Sequence, residues 1–221
     1  MTRPTVTGLI LAGGRARRLG GVDKGLVDFA GKPLIEYVIE GLRHQVERLL
    51  INANRNADRY RDYGFPVIAD DLTNFQGPLA GVATALRRVE TDYLLTAPCD
   101  GPRLPRDLRE RLMTALADSA AKAAVAHDGN RAQYAFALLH RDCGESLSAY
   151  LDSGERSIRG WFATLDPAVA DFSDKPEAFF NINRPTDLAA PGIARQGQRI
   201  KSSTGSYNPT PGRCRAQPDE P

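Results

Sequence analysis

Residues Leu11 to Lys24, LAGGRARRLGGVDK, bring two glycine pairs, three arginines, an aspartate and a lysine into one short segment. Glycines at 13, 14, 20 and 21 admit positive φ and leave no Cβ between the main chain and a ligand. Their successive N–H groups can form a concave nest for an anion. Lys24 offers a point charge at the end of the loop. Arg18 offers a planar fork for phosphate oxygens, and the pattern does not choose among Arg15, Arg17 and Arg18. The chemistry is that of a triphosphate cradle. Two better-known glycine loops do not fit. The dinucleotide fingerprint G-x-G-x-x-G is absent, which disfavours an NAD-dependent dehydrogenase, and no G-K-[ST] ending marks an ATPase-type phosphate loop.

Other polar residues fall where a ligand could meet them. Asp100, in PCDGP, ends an apolar run. A single carboxylate facing a phosphate nest suits Mg²⁺, which takes one or two carboxylates with phosphate oxygens and water. Taken alone, Asp100 reads better as a cap or turn aspartate, since Gly and Pro follow; the glycine loop tips the reading to the metal. Cys99 reads as a small buried residue, since nothing nearby would lower its pKa. Asn52 and Asp70 suit contact with a base or ribose, or the closing of a turn. Gln76-Gly77-Pro78-Leu79-Ala80-Gly81 brings small residues and free N–H groups to a helix start. Asn181 and Asn183 bracket Ile182 as two same-face polar groups, or else cap a helix at Pro185.

These residues need elements to position them. Val6 to Leu11 is a short apolar run suited to a buried parallel strand. Pro33 to His44 carries apolar residues at 34, 35, 38, 39 and 42, a helical stripe opened by proline. Strands are predicted at Leu49–Ala53, Phe65–Ala69, Tyr93–Thr96, Ala123–Ala126, Tyr134–Leu139 and Phe179–Ile182. Further helices are predicted at Gly77–Glu90, Pro105–Ala117, Cys143–Leu151 and Ser157–Leu165. His127-Asp128-Gly129-Asn130 reads as a hairpin or short loop. This alternation predicts an α/β fold with a mostly parallel sheet and helices on both faces. Ligands of such sheets bind outside the carboxyl ends of the strands. The glycine loop, Asn52, Asp70 and Asp100 would converge there from four strand ends.

The 221 residues suit one domain at 1–190, followed by a Pro-, Gly-, Ser- and Arg-rich tail at 191–221 expected to be disordered. A net charge of +2 gives no global field for nucleic acid. No run approaches the roughly 20 apolar residues of a membrane span, and the first strand begins too early for a secretory leader. Three scattered cysteines fit a reducing cytoplasm rather than a disulfide framework. The histidines have no metal-ligand spacing with them.

Taken together, LAGGRARRLGGVDKGL, INANR, the aspartate of VIAD, QGPLAG, PCDGPRLP, DSGERSIR and DFSDKPEAFFNINRPTDL resemble the molybdenum cofactor guanylyltransferases, the MobA family. The resemblance runs in order to about Leu188. A bare LAGG is shared with cytidylyltransferases; the segment ending GGVDKG, joined to FNINRP, is more specific. One departure is Gln133-Tyr134, where family members often carry a proline. The resemblance implies a Rossmann-like nucleotidyltransferase fold that binds GTP and Mg²⁺ and attaches GMP to the molybdopterin cofactor, in company with other cofactor-biosynthesis proteins and apo-molybdoenzymes. It assigns Leu11, Ala12, Gly13, Lys24, Asn52, Asp70 and Asp100 to GTP, Asp100 also to Mg²⁺, and Asn181 and Asn183 to the metal and acceptor. Gly14 joins them as part of the nest. The alternatives are a cytidylyl- or sugar-phosphate nucleotidyltransferase and a non-catalytic nucleotide- or cofactor-binding adaptor.

Overall fold

The computed structural model describes residues 3–14, 22–71, 77–183 and 185–188. Strands β1 (Val6–Leu11), β4 (Arg48–Asn52), β5 (Val67–Ile68), β6 (Tyr93–Pro98), β7 (Ala123–His127), β8 (Ala132–His140) and β9 (Ala168–Asp171) form one sheet in the order β5-β4-β1-β6-β8-β7-β9. Only β8 runs against the others. A small antiparallel ribbon, β2 (Asp28–Phe29) with β3 (Lys32–Pro33), stands apart.

Side chains on successive strand residues face opposite ways, so each strand feeds two cores. In β1, Val6 and Ile10 pack with α1 (Leu34–Leu42), α2 (Ala57–Arg61) and α4 (Leu108–Ala117). Leu9 instead joins α3 (Pro78–Leu86), α5 (Cys143–Asp152) and α6 (Ile158–Leu165) on the other face. The predicted stripe of α1 is the buried one: Leu34, Ile35, Val38, Ile39 and Leu42. The short α7 (Pro185–Leu188) closes the described part of the chain. The predicted mostly parallel sheet, covered on both faces, is therefore what the chain forms.

Some boundaries differ. The expected strand at Phe179–Ile182 is not one. Pro176 opens a 3₁₀ turn at Pro176–Phe179, and the N–H of Ile182 donates to the Asp100 carbonyl at 2.9 Å, outside any ladder. The helix expected from Pro105 starts at Leu108, because the Leu108 N–H first closes a turn on the Pro105 carbonyl. Helix α2 and strand β9 were not expected, being too short to show a period. The β7–β8 connection is a hairpin turn, as expected, and in it one Asp128 carboxylate oxygen accepts the N–H groups of Asn130 and Arg131, both at 2.8 Å. No described helix is long and apolar enough to cross a membrane. Arg15, Arg17, Arg18, Gly20, Gly21, Gln76 and the segment from 189 onward lie outside the described residues.

Candidate functional site

Because β5, β4, β1 and β6 are consecutive in the sheet and share a direction, their carboxyl ends form one edge. Asp70, Asn52, Gly13 and Asp100 leave that edge side by side. The predicted convergence has a simple cause: topology places four strand ends next to one another.

On the β4–β5 side the main chain is tied first. The Ala12 N–H donates to the Asn52 carbonyl at 2.8 Å, and the Ala53 N–H to the Ile68 carbonyl at 2.9 Å. Asn52, only 3% exposed, then donates its Nδ2 to Asp70 Oδ1 at 2.8 Å and to the Ile68 carbonyl at 3.3 Å. Asn54 makes a reciprocal clamp, its Nδ2 donating to Asp70 Oδ2 at 2.8 Å while its Oδ1 accepts the Asp70 N–H at 2.8 Å. Both carboxylate oxygens of Asp70 are thus aimed by amides. Each oxygen keeps acceptor capacity for a ligand.

These amides fill the space beside two glycines. A Cβ on Gly13 would lie 3.0 Å from Asn54 Nδ2 and 3.2 Å from Asn52 Oδ1. One on Gly81, inside α3, would lie 2.2 Å from Asn52 Oδ1. Asn54 was missed by sequence reasoning, although its two-residue offset from Asn52 in INANR was the available signal. Leu11 contributes its carbonyl, which accepts the Cys99 N–H at 3.1 Å and so locks β1 to the start of the Asp100 turn. The Gly14 carbonyl accepts from the Arg55 guanidinium at 3.1 Å.

On the β6 side, the Lys24 ammonium bridges Asp100 Oδ2 at 3.0 Å and Asn183 Oδ1 at 2.7 Å. The lysine stands at the start of a 3₁₀ turn, Lys24–Leu26, on the way out of the glycine loop. Asn183 is fixed by its own N–H to Asp187 Oδ2 at 2.9 Å and by its Nδ2 to the Asn181 carbonyl at 3.3 Å. So Asp187, another residue missed from the sequence, orients one of the asparagines. The Asn181 Oδ1 is buried with no hydrogen-bond partner among the described residues. It lies 3.3 Å from where a Cβ of Gly101 would stand, against the Asp100 turn.

An orphaned amide oxygen beside a lone carboxylate is a pair of hard oxygen donors. Among the described residues no group of three acidic, histidine or cysteine side chains could hold a metal unaided. Such a set fits an ion whose remaining ligands come from phosphate and water, as Mg²⁺ prefers. Cys99, next in the chain, is buried, and burial, reinforced by the neighbouring Asp100 charge, pushes its thiol pKa up. It is therefore not poised as a nucleophile.

The fold is shared with solved nucleotidyltransferases. A nucleotidyl transferase from Methanothermobacter superposes with a TM-score of 0.68 at 19% identity, over 88% of this chain and 98% of that one. The molybdopterin-guanine dinucleotide biosynthesis protein A from Archaeoglobus fulgidus does so with a TM-score of 0.72 at 23% identity, over 86% and 99%. At those identities the likeness is one of fold. The sequence goes further: residues 8–168 match the MobA-like NTP transferase domain. The molybdenum cofactor guanylyltransferase of Shewanella sp. (strain MR-4) is 51% identical over 180 residues, 81% of this chain and 91% of that protein. The chain belongs to the molybdenum cofactor guanylyltransferase family of nucleotidyltransferases.

Proposed function

We propose that this protein transfers GMP from GTP to the molybdenum-bearing molybdopterin cofactor, releasing pyrophosphate and forming the guanine dinucleotide cofactor. The observation that carries the reading is the Lys24 bridge between Asp100 and Asn183, beside the orphaned Asn181 Oδ1. A cation and three side-chain oxygens stand together at the sheet edge from which the glycine loop leaves.

In this reading Asn52 and Asp70 meet the base or ribose of GTP, Leu11 and Ala12 lead the chain to it, and the N–H groups of Gly13 and Gly14, with Lys24 and Arg18, take its phosphates. Asp100 with Asn181 would hold Mg²⁺, which supplies charge neutralisation to the triphosphate when bound. Asn183 keeps the Lys24 ammonium beside Asp100. The acceptor's phosphate monoester, with a second pKa of roughly 6, is largely dianionic at neutral pH and needs no base to become a nucleophile. Its oxygen attacks the α-phosphorus, the bond to the β-phosphate bridging oxygen breaks, and pyrophosphate leaves with the electron pair. The chain's task is to bring one polyanion against another, which is positioning and electrostatics.

Residues 1–190 form the catalytic unit in this proposal and 191–221 are an accessory extension. The support is that the family match ends at 168, well short of the tail. Two described cysteines, Cys99 and Cys143, are free and buried, in keeping with work in a reducing cytoplasm.

Product analysis tests the reading. Each of the four ribonucleoside triphosphates is supplied with Mg²⁺ and the molybdenum-loaded cofactor, and the nucleotide attached is identified. GMP attachment with one pyrophosphate per cofactor is expected. Attachment of CMP would select the cytidylyltransferase alternative, and binding without pyrophosphate release would select the adaptor.

A further inference from the structure

The turn that carries Lys24 is held from behind by a buried group that the transfer reaction does not itself use. Asp23, 7% exposed, immediately precedes the lysine. Its Oδ1 accepts a hydrogen bond from the hydroxyl of Tyr60, a fully buried residue of α2. Its Oδ2 accepts from Asn56 Nδ2 at 3.0 Å. Asn56 precedes α2 in a left-handed conformation, φ 49°, and its carbonyl accepts the Tyr60 N–H at 3.2 Å. The Asp23 carbonyl in turn accepts the Leu26 N–H at 3.1 Å, closing the 3₁₀ turn.

Packing is tight at the next residue. A Cβ on Gly25 would lie 2.6 Å from Tyr60 Oη and 3.4 Å from Cys99 Cβ. The phenol therefore touches the lysine turn on one side, and the turn touches the strand end that presents Asp100 on the other. Burial, with the hydrogen bond to Asp23 and the Asp23 charge behind it, pushes the Tyr60 hydroxyl far above its ordinary range, so it stays a donor at any working pH.

The electrostatic problem is one of competition. Lys24 has a carboxylate one residue away and another, Asp100, across the cleft. An unsatisfied Asp23 would draw the ammonium backwards. With both of its oxygens occupied, Asp23 leaves the ammonium to Asp100 and Asn183. We propose that Tyr60 and Asn56 are positioning residues: they sequester the Asp23 carboxylate and so direct Lys24 to the reacting phosphates. The inference rests on the reading that Lys24 serves the nucleotide.

Tyr60→Phe tests it, keeping the ring and removing the donor. Turnover of GTP with the cofactor should fall on the order of tenfold, less than the roughly 10²–10³ of removing an aimed donor outright, because Lys24 is misdirected and not lost. Adding Asp23→Asn removes the competing charge, so Tyr60→Phe/Asp23→Asn should recover to within about threefold of the wild type. A merely structural role gives the opposite sign, a double variant slower than Tyr60→Phe alone. That result, or unchanged turnover in Tyr60→Phe, would overturn the proposal.

Acylation of Lys24, followed by mass spectrometry on the nucleotide-free full chain, gives a readout independent of the reaction. Its labelling rate should change in Tyr60→Phe and return towards wild type in the double variant. An unaltered rate counts against the device. Should Tyr60→Phe not fold, Asn56→Ala with and without Asp23→Asn carries the same comparison. A wild type that attaches no GMP, yet shows the labelling pattern, sinks the guanylyl reading while leaving the positioning device standing.

Discussion

Replacing Gly81 by alanine sets two effects against each other. Gly81 lies inside α3, where alanine should add about 1 kcal/mol of helix stability. Its Cβ, however, would stand 2.2 Å from Asn52 Oδ1 and 2.6 Å from Asn52 Cγ. Ordinary contact begins near 3.4 Å, so the amide must retreat by more than an ångström. Such a retreat breaks the 2.8 Å bond from Asn52 to Asp70, a hydrogen bond to a carboxylate at a buried donor. Losing it costs about 1.5–3 kcal/mol.

The steric effect wins by about 0.5–2 kcal/mol, which lowers Tm by roughly 1–8 °C for a chain of this size. GTP affinity should fall roughly tenfold, since Asp70 loses one of the amides that aim it; each tenfold is about 1.4 kcal/mol. Thermal unfolding and calorimetric titration with GTP read the two effects separately. In an Asn52→Ala background the clash has no partner, and Gly81→Ala should be neutral or stabilising. A Tm that rises in the wild-type background, with unchanged GTP affinity, would refute the reasoning.

Other outcomes follow from the same geometry. Asp100→Ala should abolish Mg²⁺-dependent turnover while the chain still melts cooperatively, and near-normal turnover in this variant would remove the metal assignment. Asn54→Ala should raise the KM for GTP by about tenfold with a smaller effect on kcat, because it frees Asp70 without touching Lys24; steady-state kinetics decides. A chain ended at residue 190 should keep kcat/KM within about twofold of the full chain, since the family match ends at 168, short of the tail. Burial opposes ionisation of Glu47, but the Val6 N–H and the Arg109 guanidinium overcome it and hold its carboxyl below the ordinary 4.5. A depressed pKa contributes stability above the unfolded value that is lost as pH falls through the folded one, so Glu47→Gln should flatten the decline of Tm below about pH 4.5.

The parts of this molecule legible from sequence are those that local chemistry dictates. Helix α1 announced itself because five apolar residues recur at helical spacing, and β1 because it is a continuous apolar run. Asn52, Asp70 and Asp100 could be placed because each ends such a run. What could not be read was what side chains do across chain distance. Asn54 clamps Asp70 from 16 residues away, and Tyr60 reaches Asp23 across 37. Helix α2 carries that tyrosine on five residues, too few to display a period. The Phe179–Ile182 segment misled because its aromatic content suits a strand, whereas Pro176 starts a turn and the Ile182 N–H goes to Asp100 instead. Gly81 looked like a small residue near a ligand; its reason is the buried amide it makes room for.

A crystal structure of the full chain with a non-hydrolysable GTP analogue and Mg²⁺ tests the account most directly. The phosphates should lie against Lys24 and the glycine loop with the metal on Asp100, and the nucleoside should lie towards Asn52 and Asp70. A nucleotide bound away from the carboxyl ends of β1, β4 and β6, with Lys24 still bridging Asp100 and Asn183, would contradict it.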